Sequence, residues 1–186
     1  EELESELAKY TDAKYSVGVS SGHVGLVLSL LALGFKAGEN HSNKEVIVPA
    51  MTFFSTAEAP SFLGMKVVVC DIDEYFNIDV KKLESLINKN TAAIIPVNLF
   101  GQCANYDIIL DIAKKNNIFV IEDACQSFGA SYKNIKSCSG KLGDIAVTSF
   151  FPAKPLGCFG DGGMVFTNNE EYYKNLKQLR HHGDEG

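Results

Sequence analysis

No apolar run in this sequence approaches the roughly 20 residues that a membrane-spanning helix needs. Runs such as Val24 to Leu33 are interrupted by glycine, proline or charged residues well before that length. The first residues, Glu-Glu-Leu-Glu-Ser-Glu-Leu, form an acidic amphipathic pattern and lack the positive start and the apolar stretch of a secretory signal. We therefore expect no membrane association and a cytoplasmic location.

Clusters of basic residues are also lacking. The formal net charge is -6 at pH 7, and the lysines are scattered rather than grouped. A domain that binds nucleic acid needs a basic surface, so the sequence argues against DNA or RNA as a partner. Small molecules and other protein chains are the expected partners.

The cysteines and histidines do not form a metal-binding pattern. Five cysteines are an odd number, and none of them is spaced as Cys-x-x-Cys, which argues against both a disulfide framework and a zinc site. The four histidines comprise a neighbouring pair near the end of the chain and two distant residues upstream. We predict reduced thiols and no metal site for the whole set, which is Cys70, Cys103, Cys125, Cys138, Cys158, His23, His41, His181 and His182.

The sequence does contain enough apolar residues for one substantial core. It has 186 residues, of which 46% are hydrophobic, and it shows no internal repeat, low-complexity tract or linker. We therefore predict one domain over residues 1–186. The chain begins inside a helical pattern and stops just after another one, so we expect it to be part of a longer protein.

Short β-branched runs alternate with helical patterns along most of the chain, which predicts crossover units around a parallel sheet. Several runs are apolar nearly throughout, as expected for strands that helices cover on both faces. The predicted fold class is α/β, with three layers and a mostly parallel seven-stranded sheet. The predicted strands are Ser16–Val19, Glu45–Pro49, Lys66–Cys70, Ala92–Val97, Phe119–Glu122, Ile145–Phe150 and Gly163–Thr167. The predicted helices after the amino-terminal one are Val24–Gly34, Ser55–Leu63, Val80–Ile87, Tyr106–Asn116 and Glu170–His181.

Ligands of open parallel sheets gather at the carboxyl ends of the strands, so the residues after each strand are the first candidates for a site. Ser20-Ser21-Gly22-His23 follows the first predicted strand and opens an apolar helix, where backbone N–H groups and a hydroxyl could bind a phosphate. An ordinary serine cap of that helix is the alternative. Phe53, after the second strand, could lie flat on a planar ring, and packing in the core is the alternative.

Asp123 lies at the carboxyl end of the strand that begins at Phe119, among apolar neighbours. A carboxylate there needs a partner, and a protonated pyridine nitrogen would be one. Such an ion pair keeps the ring positive, so that the ring draws electrons from a substrate carbanion. Capping of a helix start is the alternative.

The segment from Thr148 to Gly163 is the most informative part of the sequence. Pro152 and Pro155 flank Lys154, which favours a rigid, non-helical turn, and the four glycines that follow permit close backbone approach and positive φ. A partly desolvated lysine in such a turn can act as a nucleophile and then carry a proton, whereas a solvated surface lysine is the alternative. A dinucleotide-binding loop is not supported, because these glycines precede a strand and no Gly-x-Gly-x-x-Gly turn follows the first strand.

Four segments, in their order and spacing, resemble the DegT/DnrJ/EryC1/StrS family of pyridoxal-phosphate-dependent sugar-nucleotide aminotransferases, which have the aspartate aminotransferase (type I) fold. The resemblance extends through nearly the whole chain. Its most specific segments are residues 48–53 (Val-Pro-Ala-Met-Thr-Phe), residues 98–102 (Asn-Leu-Phe-Gly-Gln), residues 121–126 (Ile-Glu-Asp-Ala-Cys-Gln) and residues 149–157 (Ser-Phe-Phe-Pro-Ala-Lys-Pro-Leu-Gly).

The resemblance implies pyridoxal 5'-phosphate as the cofactor and assigns roles around its ring. Lys154 would hold the internal aldimine and carry the proton between the substrate and the cofactor. Asp123 would pair with the pyridine nitrogen, Gln126 would contact the ring hydroxyl, and Phe53 would stack on the ring.

The resemblance also implies a phosphate site. Ser149, with the backbone around Gly22 and His23, would hold the phosphate group. The family usually has threonine at the position of His23, so the resemblance does not supply a side-chain contact there. A histidine can still donate a hydrogen bond.

The resemblance further implies the reaction. Related sugar dehydratases have histidine in place of the lysine, so the retained Lys154 favours transamination. An amino acid, expected to be glutamate, would donate its amino group to a keto sugar carried on a nucleotide. The most similar branch acts on UDP-linked 2-acetamido-3-oxo sugars, for surface polysaccharide or modified-sugar biosynthesis.

Two further expectations concern the domain and its assembly. Family chains are longer than this one and form homodimers with shared active sites, which implies that residues 1–186 are the large, cofactor-binding domain without the smaller C-terminal domain. A noncatalytic module that keeps the fold and serves in binding or regulation is the alternative to an enzyme.

Overall fold

The structure is a computed structural model that describes residues 1–184. Residues 185 and 186, which the predicted domain includes, lie outside the described residues. The strands are β1 (Tyr15–Val19), β2 (Glu45–Pro49), β3 (Lys66–Cys70), β4 (Thr91–Ile94), β5 (Phe119–Asp123), β6 (Ser131–Tyr132), β7 (Ile135–Lys136), β8 (Ile145–Ser149) and β9 (Gly163–Thr167). The helices are α1 (Glu2–Thr11), α2 (Gly22–Ala32), α3 (Ser55–Phe62), α4 (Val80–Leu86), α5 (Tyr106–Asn116) and α6 (Glu170–Arg180), with a 3-10 turn at Leu99–Gly101. Every helix within residues 1–184 is too short or too polar to traverse a lipid bilayer.

Seven of the strands form one sheet, in the order β1-β9-β8-β5-β4-β2-β3. The strands β2, β3, β4, β5 and β8 pair in parallel, whereas β9 pairs antiparallel with both of its neighbours, β1 and β8. Within the described residues, β9 is therefore the one strand of this sheet that runs against the others. The predicted seven-stranded, mostly parallel sheet is confirmed.

Helices cover both faces of the sheet. As a result, neighbouring residues of a central strand point into two different cores. Val46 and Val48 of β2 face the core that α2, α3 and α6 complete, whereas Ile47 faces the core that α4 and α5 complete. All three side chains are buried. A strand with two buried faces needs apolar residues on both of them, which explains the continuous β-branched runs in the sequence.

Several element boundaries differ from the prediction by one or more residues, and two of these differences have clear local reasons. The strand predicted over Ala92–Val97 is interrupted at Pro96, which has no N–H group to donate to a neighbouring strand. The helix predicted to begin at Val24 begins at Gly22 instead. The side chain of Ser21 accepts a hydrogen bond from Val24 N (3.1 Å) and thereby caps the first turn.

A small hairpin formed by β6 and β7 was not predicted. Its strands have two residues each, which is too short for a periodic pattern to appear in the sequence. Lys133 and Asn134 connect them with φ angles of 46° and 68°. Positive φ at both central residues is typical of a type I′ hairpin turn.

The reversed direction of β9 positions the loop that carries Lys154. Gly163, the first residue of β9, pairs with Ser149, the last residue of β8, and also with Val19, the last residue of β1. Residues 150–162 therefore begin and end at the edge of the sheet where the parallel strands finish. Ligands of such sheets bind at this edge.

Candidate active site

A pocket of about 490 Å³ opens at the carboxyl edge of the sheet. A volume of this size is typical of small-molecule sites, which range from about 300 to 1,000 Å³. All the residues that the sequence predicts for the site line this one pocket, and they are Gly22, His23, Phe53, Asp123, Gln126, Ser149 and Lys154. The fold therefore brings together side chains that are far apart in the sequence.

The amino end of α2 presents backbone N–H groups to the pocket. The N–H groups of Gly22 and His23 precede the first hydrogen-bonded turn of the helix. Ser21 caps this helix, so the alternative interpretation of the segment as a serine cap is confirmed. A Cβ atom at Gly22 would lie only 2.9 Å from both Cys125 Sγ and Ser149 Cβ, so glycine is what allows this close approach. Free N–H groups, a hydroxyl and the positive end of a helix dipole suit a phosphate group.

Asp123 is buried at the end of β5, with its side chain held from two directions. Its Oδ2 accepts a hydrogen bond from Thr56 Oγ1 (2.8 Å), and its Oδ1 accepts one from Cys125 N (3.2 Å). Thr56, which the sequence analysis missed, also contacts the hydroxyl of Thr52 (2.8 Å). No helix begins within residues 124–130, so the interpretation of Asp123 as a helix cap is wrong. A carboxylate fixed in this way can pair with a cationic atom of a ligand.

The side chain of Gln126 is oriented by a neighbouring loop. Its Oε1 accepts a hydrogen bond from Phe100 N (3.1 Å). Phe100 has a φ of 55°, in the left-handed region that bulky residues rarely adopt, and Gly101 follows with a φ of 82°. Because this contact engages the amide oxygen, the amide N–H groups of Gln126 remain available as donors to a ligand oxygen.

Lys154 lies in the turns that connect β8 to β9 and is partly buried. Its backbone N–H donates to Phe151 O (2.8 Å). A Cβ atom at Gly157 would lie 2.6 Å from Pro152 O, so the loop folds closely on itself. Among the four glycines that follow the lysine, positive φ occurs only at Gly160 (142°). Close approach of the backbone is therefore the more general reason for glycine in this loop.

Lys154 and Cys125 line the same pocket. Burial and then the charge of Asp123 raise the pKa of the Cys125 thiol well above its ordinary value, whereas the charge of Lys154 acts in the opposite direction. Lys154 thus lines the same pocket as Asp123, the last residue of β5. A freely solvated surface lysine does not fit this placement.

Phe53 lies on the wall of the pocket with 59% of its surface exposed. Its ring centroid is 4.6 Å from that of Phe54. The alternative that Phe53 packs in the core is therefore wrong. Phe54, Phe100 and Phe151 are exposed as well. Exposed aromatic rings around a pocket indicate a surface that contacts other molecules.

A buried polar network lies behind the pocket and was not predicted. Glu122 precedes Asp123 on β5, so its side chain points to the opposite face of the sheet, where it is fully buried. Its carboxyl group accepts hydrogen bonds from Asn98 Nδ2 (2.9 Å), Ser137 Oγ (2.6 Å) and Cys138 N (3.3 Å). Burial raises the pKa of Glu122 to about 7. No sequence signal identifies its partners, which are 15 to 24 residues away along the chain.

Replacing Glu122 with glutamine should change how folding stability depends on pH. With its pKa raised from 4.5 to about 7, the folded protein keeps a proton that the unfolded chain releases, so the free energy of unfolding falls as the pH rises through this interval. Glu122→Gln cannot ionise and does not lose this stability. In urea titrations, the free energy of unfolding of Glu122→Gln minus that of the wild type should increase by about 2 kcal/mol between about pH 5 and about pH 7.5.

The matched control for this prediction is Glu84→Gln, which changes an exposed glutamate on α4. Its difference in free energy of unfolding from the wild type should stay constant over the same pH interval. A constant difference for Glu122→Gln as well would show that Glu122 does not titrate in the way described.

The polar groups of the pocket are thus an amine, a carboxylate, an amide, hydroxyls and backbone N–H groups. Within residues 1–184 no group of three or more histidine, cysteine, aspartate or glutamate side chains is arranged to hold a metal ion, and the five cysteines there are free thiols. Such a set of groups suits a small organic ligand that carries an anionic group.

The chain belongs to the DegT/DnrJ/EryC1/StrS aminotransferase family, whose sequence model matches residues 1–186. The resemblance seen in the sequence is confirmed. The chain is 48% identical over 185 residues to the UDP-2-acetamido-2-deoxy-3-oxo-D-glucuronate aminotransferase of Pseudomonas aeruginosa, and the match covers 99% of this chain and 50% of that protein. It is 43% identical over 182 residues to a pleiotropic regulatory protein of Geobacillus stearothermophilus, with 97% of this chain and 47% of that protein covered. The chain spans about half the length of the curated relatives it matches.

Solved structures agree with this assignment. The chain superposes on the DesV protein of S. venezuelae, solved in complex with a ketimine intermediate, with a TM-score of 0.93 and 35% identity, over 100% of this chain and 48% of that one. It also superposes on the NtdA protein of Bacillus subtilis, solved with bound cofactor PMP, with a TM-score of 0.89 and 36% identity, over 99% of this chain and 40% of that one. The α/β fold predicted from the sequence is therefore the fold of this family.

Proposed function

We propose that the pocket binds pyridoxal 5'-phosphate and that the protein is a sugar-nucleotide aminotransferase. The observation that carries the proposal is that Lys154, Asp123 and the glycine-lined start of α2 all line one pocket of about 490 Å³. This cofactor requires three groups: an amine for its aldehyde, a carboxylate for its pyridine nitrogen and a cradle for its phosphate. Membership of the aminotransferase family supports the same conclusion.

The residues present fit the cofactor group by group. A Cβ at Gly22 would fill the space beside Ser149, so the narrow cradle at α2 is open only because glycine is there. Asp123, fixed by Thr56, is the group for the pyridine nitrogen. Gln126 has its amide N–H groups free for the ring hydroxyl.

The chain's own residues would perform most of the chemistry. When bound, pyridoxal phosphate supplies the electron sink. Lys154 Nζ would remove a proton from the α-carbon of the amino donor and return a proton to the product. Asp123 would hold a proton on the pyridine nitrogen through its negative charge. Phe53 would cover one face of the ring and exclude water from it.

The proposed reaction transfers an amino group from an amino acid, glutamate in our proposal, to a keto sugar carried on a nucleotide. A UDP-linked 2-acetamido-3-oxo sugar is the proposed acceptor, because the chain is 48% identical to an aminotransferase named for such a substrate. The product would enter surface polysaccharide or modified-sugar biosynthesis. The chain has Lys154 at the position where related sugar dehydratases have histidine. The presence of the lysine supports transamination.

The domain and the assembly belong to the same proposal. Residues 1–186 would be the large, cofactor-binding domain, which the half-length match to the relatives supports. The exposed rings of Phe54, which contacts Phe53, and of Phe100, whose backbone N–H bonds to Gln126, lie next to pocket residues. They support a homodimer whose subunits share their active sites. A cytoplasmic location remains a prediction from the sequence.

A noncatalytic regulatory module is the second candidate function. The specific observation in its favour is that one relative, at 43% identity, is named a pleiotropic regulatory protein. Such a module would keep the pocket and could keep the cofactor, but it would turn over no amino donor. The two candidates therefore differ in a single measurable property.

Borohydride reduction tests the proposal directly. The full chain is incubated with pyridoxal phosphate, reduced and digested, and mass spectrometry should find one added cofactor on the peptide that contains Lys154. Glutamate added before reduction should suppress the labelling of this peptide and release 2-oxoglutarate. A UDP-linked 2-acetamido-3-oxo sugar added after the glutamate should restore the labelling. Labelling at a different lysine would contradict the site. Labelling at Lys154 that no amino donor suppresses would favour the regulatory module.

A further inference from the structure

Two threonine hydroxyls form a hydrogen-bonded chain that ends on Asp123. Thr52 Oγ1 lies 2.8 Å from Thr56 Oγ1, and Thr56 Oγ1 donates to Asp123 Oδ2 (2.8 Å). Thr56 is buried, whereas Thr52 is partly exposed, and both line the pocket. The chain therefore connects a partly exposed residue of the pocket wall to the buried carboxylate.

The hydrogen-bonding capacity of threonine fixes the direction of this chain. A hydroxyl group has one hydrogen to donate. Thr56 gives its hydrogen to Asp123 Oδ2, so in its contact with Thr52 it can only accept. The hydroxyl hydrogen of Thr52 is therefore directed to Thr56. A connected chain of this kind polarises and orders its members, so the carboxylate at its end is held in one orientation.

The two hydroxyls do not serve the start of α3, although serine and threonine at such positions ordinarily cap a helix. Phe54 occupies the cap position of α3, and its side chain makes no capping hydrogen bond. Thr52 precedes this position and Thr56 follows it, but their hydroxyls contact each other and Asp123 instead. This arrangement favours a role for both hydroxyls at the carboxylate rather than in the stability of the helix.

The backbone of Asp123 is fixed independently of the two threonines. Its N–H donates to Pro96 O (3.0 Å), and its carbonyl accepts from Asn98 N (3.0 Å). The remaining freedom is rotation of the side chain, which Cys125 N restricts at Oδ1 (3.2 Å) and Thr56 Oγ1 restricts at Oδ2 (2.8 Å). Only the bond from Thr56 comes from a side chain, so a substitution can remove it while the strand stays in place.

We propose that Thr52 and Thr56 are positioning residues that direct the Asp123 carboxylate at the pyridine nitrogen of the cofactor. The inference rests on the cofactor site proposed above and adds two residues to it. The same turn carries Phe53, because Thr52 precedes Phe53 and Thr56 N donates to Phe53 O (3.1 Å). The pair of hydroxyls therefore orders the segment that supplies one proposed ring contact and the carboxylate that supplies another.

The deaza analogue of pyridoxal phosphate, in which a C–H group replaces the pyridine nitrogen, isolates the contact to Asp123. Both compounds have the same aldehyde and phosphate, so the ratio of their dissociation constants reports on the nitrogen. Equilibrium dialysis with the full chain should show that the wild type prefers pyridoxal phosphate. Thr56→Val has nearly the same shape but no hydroxyl, and it should reduce this preference about tenfold, as expected when one well-aligned hydrogen bond is lost. Thr56→Ser, which restores the donor, should recover most of the preference.

Thr52→Val tests the outer member of the chain. It removes the donor to Thr56 but leaves the bond from Thr56 to Asp123, so the preference should fall only about threefold. In the Thr56→Val background the same change should have no further effect, because the chain is already broken.

The matched control is Thr167→Val, which also removes a buried hydroxyl that donates at 2.8 Å, in this case to Asp144 O. Thr167 is the last residue of β9, whereas the first residue of that strand lies at the pocket edge of the sheet. Thr167→Val should therefore keep the wild-type preference for pyridoxal phosphate.

The outcomes separate this inference from the function on which it rests. A wild type that binds neither compound would refute the cofactor site itself, and one that binds both equally would refute the role of Asp123 at the nitrogen. A wild-type preference that Thr56→Val retains in full would overturn only the role of the hydroxyls, and so would an equal loss in Thr167→Val. If Thr56→Val does not fold, an unchanged preference in Thr52→Val would overturn the proposal in its place.

Discussion

Lys154→Ala should lower the rate of transamination by about 10³-fold or more, because it removes both the nucleophile and the proton carrier from one site. The loss follows from where the lysine lies. Its loop is closed by the hydrogen bond from Lys154 N to Phe151 O (2.8 Å) and by close packing at Gly157, so a neighbouring lysine cannot take its place without rebuilding the loop. Release of 2-oxoglutarate from glutamate is the measurement.

The control for this prediction is Lys81→Ala, which removes an exposed lysine from α4. Its rate should equal that of the wild type. Binding of pyridoxal phosphate to Lys154→Ala should remain detectable, since the phosphate cradle and Asp123 are untouched, but borohydride should attach no cofactor to the corresponding peptide. Substantial turnover by Lys154→Ala would remove the lysine from its proposed role.

Asp123→Asn should reduce the rate of proton removal from the amino donor by about 10² to 10⁴-fold, while cofactor binding remains measurable. Asparagine has nearly the same shape and can still accept a hydrogen bond from Thr56 Oγ1, which donates to Asp123 Oδ2 at 2.8 Å. It has no negative charge, so it cannot keep the pyridine nitrogen protonated, and a neutral ring is a poor electron sink. The defect should therefore be chemical rather than structural.

Single-turnover reactions with α-deuterated glutamate check this cause. If proton removal has become slower, the deuterium isotope effect on Asp123→Asn should be larger than that on the wild type. Asp111→Asn, which changes an exposed aspartate on α5, should match the wild type in both rate and isotope effect. A normal rate for Asp123→Asn, with the cofactor bound, would mean that the carboxylate does not serve the ring nitrogen.

The prediction at Glu122 concerns the support of this site rather than its chemistry. Asn98 donates its side-chain N–H to Glu122 (2.9 Å) and its backbone N–H to Asp123 O (3.0 Å), so one residue joins the buried network to the strand that ends at the catalytic candidate. A fully connected buried network of this kind makes the local structure rigid. The pH dependence expected for Glu122 would therefore report on the scaffold beneath the pocket.

The sequence by itself determined the order and the type of the elements, because these follow from local patterns. Continuous β-branched runs marked the central strands, such as Glu45–Pro49, whose observed bounds equal the predicted ones. The prolines on both sides of Lys154 specified a turn for the same local reason. The short hairpin at Lys133 and Asn134 shows where a local pattern is too short to predict an element. Pro96, in contrast, is a local signal that the predicted strand extended across.

The tertiary structure alone decided which of these residues meet. Thr56 donates to Asp123 across 67 residues of sequence, and the pairing of Gly163 with both Val19 and Ser149 directs the lysine loop to the ligand-binding edge. His23 on α2 likewise has its Nδ1 3.4 Å from Glu58 Oε2 on α3 only because these two helices pack together. Contacts of this kind depend on strand direction and helix packing, which are set by the burial of the whole core rather than by any local run of residues.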